Sequence, residues 1–353
     1  MYQDLFTISF SKEKRFMSGM DFSKWLNNEY IPNNQDMKWI KEVSSKSTKQ
    51  SIMKAEKAFK GFFRGDGFPK FKKKKNQNTK AYFPKNNETD WTIERHRVKI
   101  PTLGWVRLKE FGYIPTNSIV KSGTVSQIAD RYYVSILVKK DDKEIPKPTN
   151  DGIGIDLGLK SLAICSDGIV YRNINKTSVI KKVEKKLSRE QRKLSRKYEG
   201  LKLRNKKERS ATRQNIQKQV TKVQKLHHRL KNIRTDHINK TISKIVKTKP
   251  SYIVIEDLAV SNMMKNKHLA KAIQKQRFFE FRIKLTSKCR QDNVELRVVD
   301  RFYPSSKTCS CCGNIKKDLK LKDRIYKCEC EFTIDRDLNA SINLKNAKEY
   351  KIA

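Results

Sequence analysis

No apolar run in this sequence approaches the ~20 residues that a membrane-spanning helix needs. The opening "MYQDLFTISFSKEKRF" has neither an apolar h-region nor a small-residue cleavage site. Neither an anchor nor a secretory leader is expected, and the chain is read as cytoplasmic and nucleoid-associated. No internal repeat is visible, and hydrophobic residues make up 37% of the 353, enough for a core with little surplus. A chain of this length predicts two or three folded units. Acidic residues are scarce, 37 against 80 basic ones, which leaves a net charge of +43. That excess would repel itself in a compact state unless a polyanion neutralised it. Nucleic acid is the expected partner, because each neutralised phosphate also releases a counterion. An anionic membrane surface fits less well, because the charge is spread along the whole chain rather than held in one amphipathic helix.

The seven cysteines are not spread as a disulfide framework would spread them. Five fall between 309 and 330, and clustering of that kind favours a metal. Cys165 and Cys289 lie in apolar segments and are read as inert core residues. Cys309-x-x-Cys312 followed by Gly313 is a zinc-knuckle pattern. The second pair, Cys328-Glu-Cys330, is one residue shorter than usual, and Cys311 is an alternative donor. The expectation is a structural Zn²⁺ on Cys309, Cys312, Cys328 and Cys330.

Along the chain, "STKQSIMKAEKAFKGFF" places Ile52, Ala55, Ala58, Phe59 and Phe62 near a helical period. "GDGFPKFKKKKNQNTK" then reads either as a solvated linker or as a phosphate-contacting loop. In the second reading Lys70, Lys72, Lys73 and Lys74 bind nucleic acid and Phe68 and Phe71 are anchors or stacking platforms. "WTIERHRVKIP", "WVRLKEF" and "YYVSILVKK" alternate as short strands, and the acidic, proline-bearing "DDKEIPKPTND" marks a boundary. From about Lys181 to Lys247 the pattern is helical and charged, with a break expected at "YEG" (198–200) and an apolar stripe of Leu226, Leu230 and Ile233. Its basic outer face fits a solvated insertion or a nucleic-acid contact equally. A single helix is expected at about 269–292.

Three carboxylates stand at telling places. Asp156 ends the apolar strand of "GIGIDLGLK", Glu256 ends that of "SYIVIEDLAV", and Asp337 opens a helix in "DRDLNASINL". Strand ends and helix starts are where an α/β sheet gathers functional groups. Converging carboxylates would repel one another without cations between them, and two Mg²⁺ ions are the known arrangement for phosphodiester cleavage. The order of strand, insertion, strand and helix follows that of an RNase H-like nuclease.

"GIDLGLK", "IEDLAV", "FYPSSKTCSCCG" and "DRDLNASINL" resemble the signature motifs of the TnpB family, transposon-encoded proteins long described as OrfB-type transposases and similar in plan to compact type V CRISPR effectors. The resemblance runs from about Gly19 to Leu344. It implies an RNA-guided DNA endonuclease whose RuvC-like site is Asp156, Glu256 and Asp337, with a two-metal Mg²⁺ site. Asp335 matches no catalytic position and is read as structural, while Arg336 could contact the scissile phosphate. Glu331 stands where the family usually has glycine.

The implied architecture is an α/β RNase H-like (RuvC-like) nuclease domain with an inserted zinc ribbon, preceded by a mixed α+β recognition lobe. Its parts are a helical segment (1–80), a β-barrel-like wedge module (81–150), a nuclease core (151–308) carrying a helical insertion (177–247), a zinc ribbon (309–332) and a last catalytic segment (333–353). The implied partners are target DNA and a guide RNA from the transposon end, with no membrane and with one protein chain per RNA. The family usually opens with a strand of the pattern "YRLYPT", so a short N-terminus is expected here. The alternative it leaves open is a catalytically compromised or decayed protein that still binds nucleic acid.

Overall fold

A computed structural model of the chain describes residues 17–70, 80–139, 145–206, 213–320 and 323–353. The chain divides into two compact units, Met1–Asp142 and Lys143–Ala353. Among the described residues no helix is long and apolar enough to cross a membrane.

The first unit combines helices with two small sheets. Ser18 caps helix α1 (Gly19–Trp25) by accepting from the Asp21 amide at 3.1 Å. Helix α2 (Ser45–Phe63) packs Ile52 against Phe22, Leu26 and Ile31. Its buried face also holds Glu56 and Phe59, whereas Ala58 and Phe62 are exposed. Glu56 tolerates that position because Lys60 reaches it at 2.8 Å. The barrel expectation takes the form of two antiparallel three-stranded sheets. One joins β1 (Lys80–Pro84), β5 (Ile119–Ile128) and β6 (Arg131–Lys139); the other joins β2 (Thr92–Ile93), β3 (Arg97–Ile100) and β4 (Gly104–Arg107). They share a core of Phe83, Trp91, Ile93, Val98, Ile100 and Val120.

The second unit is built on a six-stranded sheet. Its order is β14 (Lys351–Ile352), β11 (Glu295–Val299), β10 (Tyr252–Glu256), β7 (Ile153–Leu157), β8 (Ser161–Cys165) and β9 (Val170–Arg172). Strand β10 runs parallel to both β7 and β11, while β7, β8 and β9 form an antiparallel meander. A strand flanked by parallel neighbours is covered on both faces, which is why β10 reads as an unbroken apolar run. Its side chains alternate between two cores. Ile253 and Ile255 meet Ile238, Ile242 and Ile245 of helix α4 (Gln214–Lys247) and Phe281 and Leu285 of helix α6 (Phe278–Gln291). Val254 faces the other way, towards Leu344 of helix α7 (Arg336–Lys345).

Two helical expectations need correction. Helix α3 (Ser178–Lys206) runs straight through Gly200, so the break at 198–200 does not occur. A lone helical glycine costs about 1 kcal/mol, which the packing of Ile180, Val183 and Leu187 against Val223, Leu226 and Leu230 of α4 offsets. The expected helix at 269–292 is two helices. Arg277, at φ 60°, lies in the left-handed region and separates helix α5 (Ala270–Gln276) from α6. Cys165 and Cys289 are buried, and burial raises both thiols to about 12, which leaves them inert.

Candidate active site and metal-binding knuckles

The register of β7 on β10 pairs Ile155 with Ile255, so the next residues along, Asp156 and Glu256, lie side by side near the ends of neighbouring parallel strands. Helix α7 crosses the same strands so closely that it leaves no room for a side chain at Gly154. A Cβ there would stand 2.0 Å from the Ser341 carbonyl oxygen and 2.5 Å from the Lys345 amide. The helix start is fixed from the other side. Asp335 accepts hydrogen bonds from the Asp337 and Leu338 amides at 3.0 and 3.2 Å and is the N-cap of α7. Asp337 is thereby set in the first turn, with its carboxylate held by Arg336 at 2.9 Å and Arg324 at 3.9 Å.

Asp156 feels the other two carboxylates. Burial, then the charges of Asp337 and Glu256, push the Asp156 carboxyl up to about 7. Burial, then Asp257 and Asp300, push Glu256 up to about 7. Asp156 and Glu256 have oxygen donors of the kind a hard divalent cation such as Mg²⁺ takes, and such an ion would relieve their repulsion. A pH prediction follows. In metal-free protein both groups hold protons in the folded state that the unfolded chain releases near pH 4. Stability therefore falls as pH rises from about 4 to about 7. Thermal melts across that range are expected to show the fall, and millimolar Mg²⁺ is expected to lessen it above pH 7.

The sulfurs of Cys309, Cys312, Cys328 and Cys330 lie within 4.8 Å of one another, and Cys311 stands outside the group, exposed. Cys309–Cys330 and Cys312–Cys328 are 3.8 and 3.6 Å apart. Tetrahedral bonds of ~2.3 Å to one ion put sulfurs ~3.8 Å apart, so the quartet fits a metal such as zinc. Burial alone would raise the Cys309 thiol, but the Cys312 and Cys311 amides together with the Cys328 and Cys312 thiols outweigh it and draw the thiol down to about 7.

The shorter second pair is accommodated by its backbone. Gly313 follows the first pair at φ 77° and Glu331 follows the second at φ 67°. In each knuckle that residue's amide donates back to the first cysteine's carbonyl, at 2.9 and 3.1 Å. Glu331 carries a Cβ where glycine is at ease. Glu331→Gly is therefore expected to stabilise the metal-loaded protein by about 1 kcal/mol, read as a higher midpoint in a thermal melt.

Sequence reasoning missed the residues that join knuckles to helix. The Asn339 amide nitrogen donates to the Thr308 carbonyl at 2.7 Å, and its oxygen accepts from the Ser310 amide at 3.0 Å. One turn later Asn343 donates to the Ser305 and Thr308 carbonyls at 2.7 and 2.6 Å. Both are buried. The two asparagines, four residues apart in "LNASIN", share one helical face; that spacing was the available signal. Asn339→Ala leaves the Ser310 amide without its partner, while the Thr308 carbonyl keeps Asn343, and is expected to cost about 2 kcal/mol, checked by denaturant unfolding.

Of the expected nucleic-acid contacts, Lys70 is exposed, and Phe68 packs edge-on against Phe59 and Phe62 at 5.9 and 5.4 Å as an anchor. Lys72, Lys73, Lys74 and Phe71 lie outside the described residues. Arg336 is engaged with Asp337.

Comparison with known proteins follows this geometry. A family model described as "Probable transposase" matches residues 135–267, and one described as "Cas12f1-like, TNB domain" matches 278–344. The "Putative RNA-guided DNA endonuclease InsQ" of Escherichia coli (strain K12) is 32% identical over 90% of this chain and 81% of its own length. A Streptomyces pristinaespiralis protein designated in the same words is 31% identical over 88% and 73%. A solved structure described as "Cryo-EM structure of the Cas12f1-sgRNA-target DNA complex" aligns over 99% of this chain and 90% of its own at 17% identity. Its TM-score of 0.40 is too loose to bear on the site. With a relative this similar over nearly its whole length, the chain belongs to the TnpB family of transposon-associated, OrfB-type proteins.

Proposed function

We propose that this protein is an RNA-guided DNA endonuclease that cleaves phosphodiester bonds at a two-metal, RuvC-like site formed by Asp156, Glu256 and Asp337. The observation that carries the reading is that Asp156 and Glu256 stand near the ends of adjacent parallel strands, with both carboxyl groups pushed up to about 7 and with Asp337 and Glu256 among the causes at Asp156, in a chain of charge +43. The sheet order, a three-stranded antiparallel meander extended by parallel strands, supports an RNase H-like core. The printed names of the relatives support guide RNA and target DNA as partners. They do not favour the decayed-protein alternative.

In this reading Asp156 and Glu256 bind the metals from the sheet and Asp337 from the helix. Mg²⁺ held there would supply an activated water and stabilise the leaving 3′ oxygen. Arg336 and Arg324 hold the Asp337 carboxylate in place until metal and the scissile phosphate enter. Zinc on Cys309, Cys312, Cys328 and Cys330 holds the loop that Asn339 and Asn343 grip, and so steadies α7. Base pairing with the guide would supply sequence specificity, and the basic segment around Lys70, Lys72, Lys73 and Lys74 would contact phosphates.

The test is paired substitution at the two less buried carboxylates. Glu256→Gln and Asp337→Asn are each expected to abolish Mg²⁺-dependent cleavage of guide-matched DNA while the protein keeps its bound RNA. Cleavage at the wild-type rate in either variant would sink the assignment.

A further inference from the structure

The turn that follows Asp156 is held in an unusual way. Strand β7 ends at Leu157, and the chain turns through Gly158, Leu159 and Lys160 before β8 begins at Ser161. Each of the three turn carbonyls accepts a hydrogen bond from a side chain remote in sequence. Gly158 accepts from the Gln276 amide nitrogen at 2.7 Å. Leu159 accepts from Asn173 at 2.8 Å and Lys160 from the Lys176 ammonium at 3.2 Å. The Gln276 nitrogen also lies 3.4 Å from the Ser161 carbonyl. Gln276 is itself only 3% exposed, so its amide is not paired with bulk water.

The network continues away from the turn. Asn175 donates to the Gln276 side-chain oxygen at 3.0 Å, which fixes that amide with its nitrogen towards Gly158. Asn175 in turn accepts from Arg234 of α4 at 2.8 Å. Glu184 of α3 then binds Arg234 and Lys275, both at 2.7 Å. The partners of the turn thus come from two places, the root of the inserted helical hairpin and the end of α5. The left-handed Arg277 immediately after Gln276 is tied in as well, by its 2.8 Å hydrogen bond to Thr235 of α4.

We infer that Gln276 and Asn175 are positioning residues for Asp156: they lock the turn two residues beyond it to the base of the α3–α4 hairpin, so that hairpin and catalytic strand move as one piece. The inference rests on the assignment of Asp156 to the site, but the contact itself can be read without any cleavage. A buried amide that donates to a turn carbonyl while its oxygen is already engaged has one productive orientation, and removing it frees the turn without touching the carboxylates.

The test uses the full chain with its bound RNA and the variants Gln276→Ala, Gln276→Glu and Asn175→Ala. Gln276→Glu keeps the shape but replaces the donor with an acceptor facing a carbonyl. Hydrogen exchange is expected to rise roughly five- to ten-fold in the peptide spanning 158–161 in all three, with exchange in α7 unchanged. The Mg²⁺ concentration needed for half-maximal cleavage is expected to rise by a similar factor, with the affinity for guide-matched DNA unchanged. A merely structural role would lower the thermal midpoint and leave the Mg²⁺ requirement where it was. Exchange at 158–161 equal to wild type, or a raised exchange with an unaltered Mg²⁺ requirement, overturns the inference. A wild-type protein that does not cleave at all overturns the nuclease reading instead, and the exchange measurement still decides whether the turn is locked.

Discussion

Asp156→Ala is expected to lower Mg²⁺-dependent cleavage of guide-matched DNA by on the order of 10³-fold or more, and to leave bound RNA in place. The size of the loss follows from the position. Asp156 is the penultimate residue of a strand in the middle of the second unit's sheet, opposite Ile164 of β8 on one side and with β10 on the other. Burial and the nearby carboxylates push it up to about 7. Such a group is held charged by cations, and the proposed chemistry has no spare donor at that point of the sheet. The same substitution removes a source of repulsion. Without metal, the alanine variant is therefore expected to melt no lower than wild type at pH 7 and above. Loss of activity together with unimpaired metal-free stability is a signature that misfolding cannot imitate. The pair of measurements is a cleavage time course and a thermal melt on the same preparation.

Gly154→Ala is expected to do the opposite, damaging the fold rather than the chemistry. The added methyl group would sit 2.0 Å from a carbonyl oxygen and 2.5 Å from an amide nitrogen of α7, both backbone atoms that cannot rotate aside. Either α7 moves off the sheet or β7 bends. Overpacking of that kind costs about 3 kcal/mol, equivalent to a fall of ~6–12 °C in the midpoint of a unit this large. Because α7 carries Asp337, displacement of the helix also pulls one carboxylate from the other two. Cleavage is expected to fall even at temperatures where the variant remains folded. A melt within ~2 °C of wild type would mean that the helix and strand yield more easily than their contact implies.

The parts of this protein that were legible in its sequence are those with a local signature. Strands β7 and β10 announce themselves as apolar runs with an acid at or next to the end, because a strand buried on both faces leaves no other place for charge. Cys309 and Cys312 are recognisable by spacing alone, since one tight turn delivers two thiolates. Asp335 was legible as structural, and the N-cap it makes is a role that aspartate takes readily at a helix start.

What was not legible depends on partners far away in the chain. Asn339 and Asn343 look like ordinary helix-surface amides until the 305–310 loop lies against them. Gln276 sits in "AIQKQR", where nothing distinguishes it from an exposed residue. The expected break at Gly200 failed because local propensity was outweighed by the α3–α4 packing. The division of the helix at Arg277 was missed for the converse reason. A non-glycine residue at positive φ leaves no mark in the sequence, and a tertiary contact from Arg277 to Thr235, with a local ion pair to Glu280, holds it there.

The most direct test of the central claim is to express the chain with its native flanking DNA, purify it, sequence the RNA that accompanies it, and offer the complex DNA matched to that RNA in the presence of Mg²⁺. One discrete RNA derived from the element's own end is expected, with cleavage that requires both the match and the metal. A broad mixture of cellular RNA, with no cleavage that follows the guide, would contradict the claim and would leave the charge of +43 as a general affinity for polyanions.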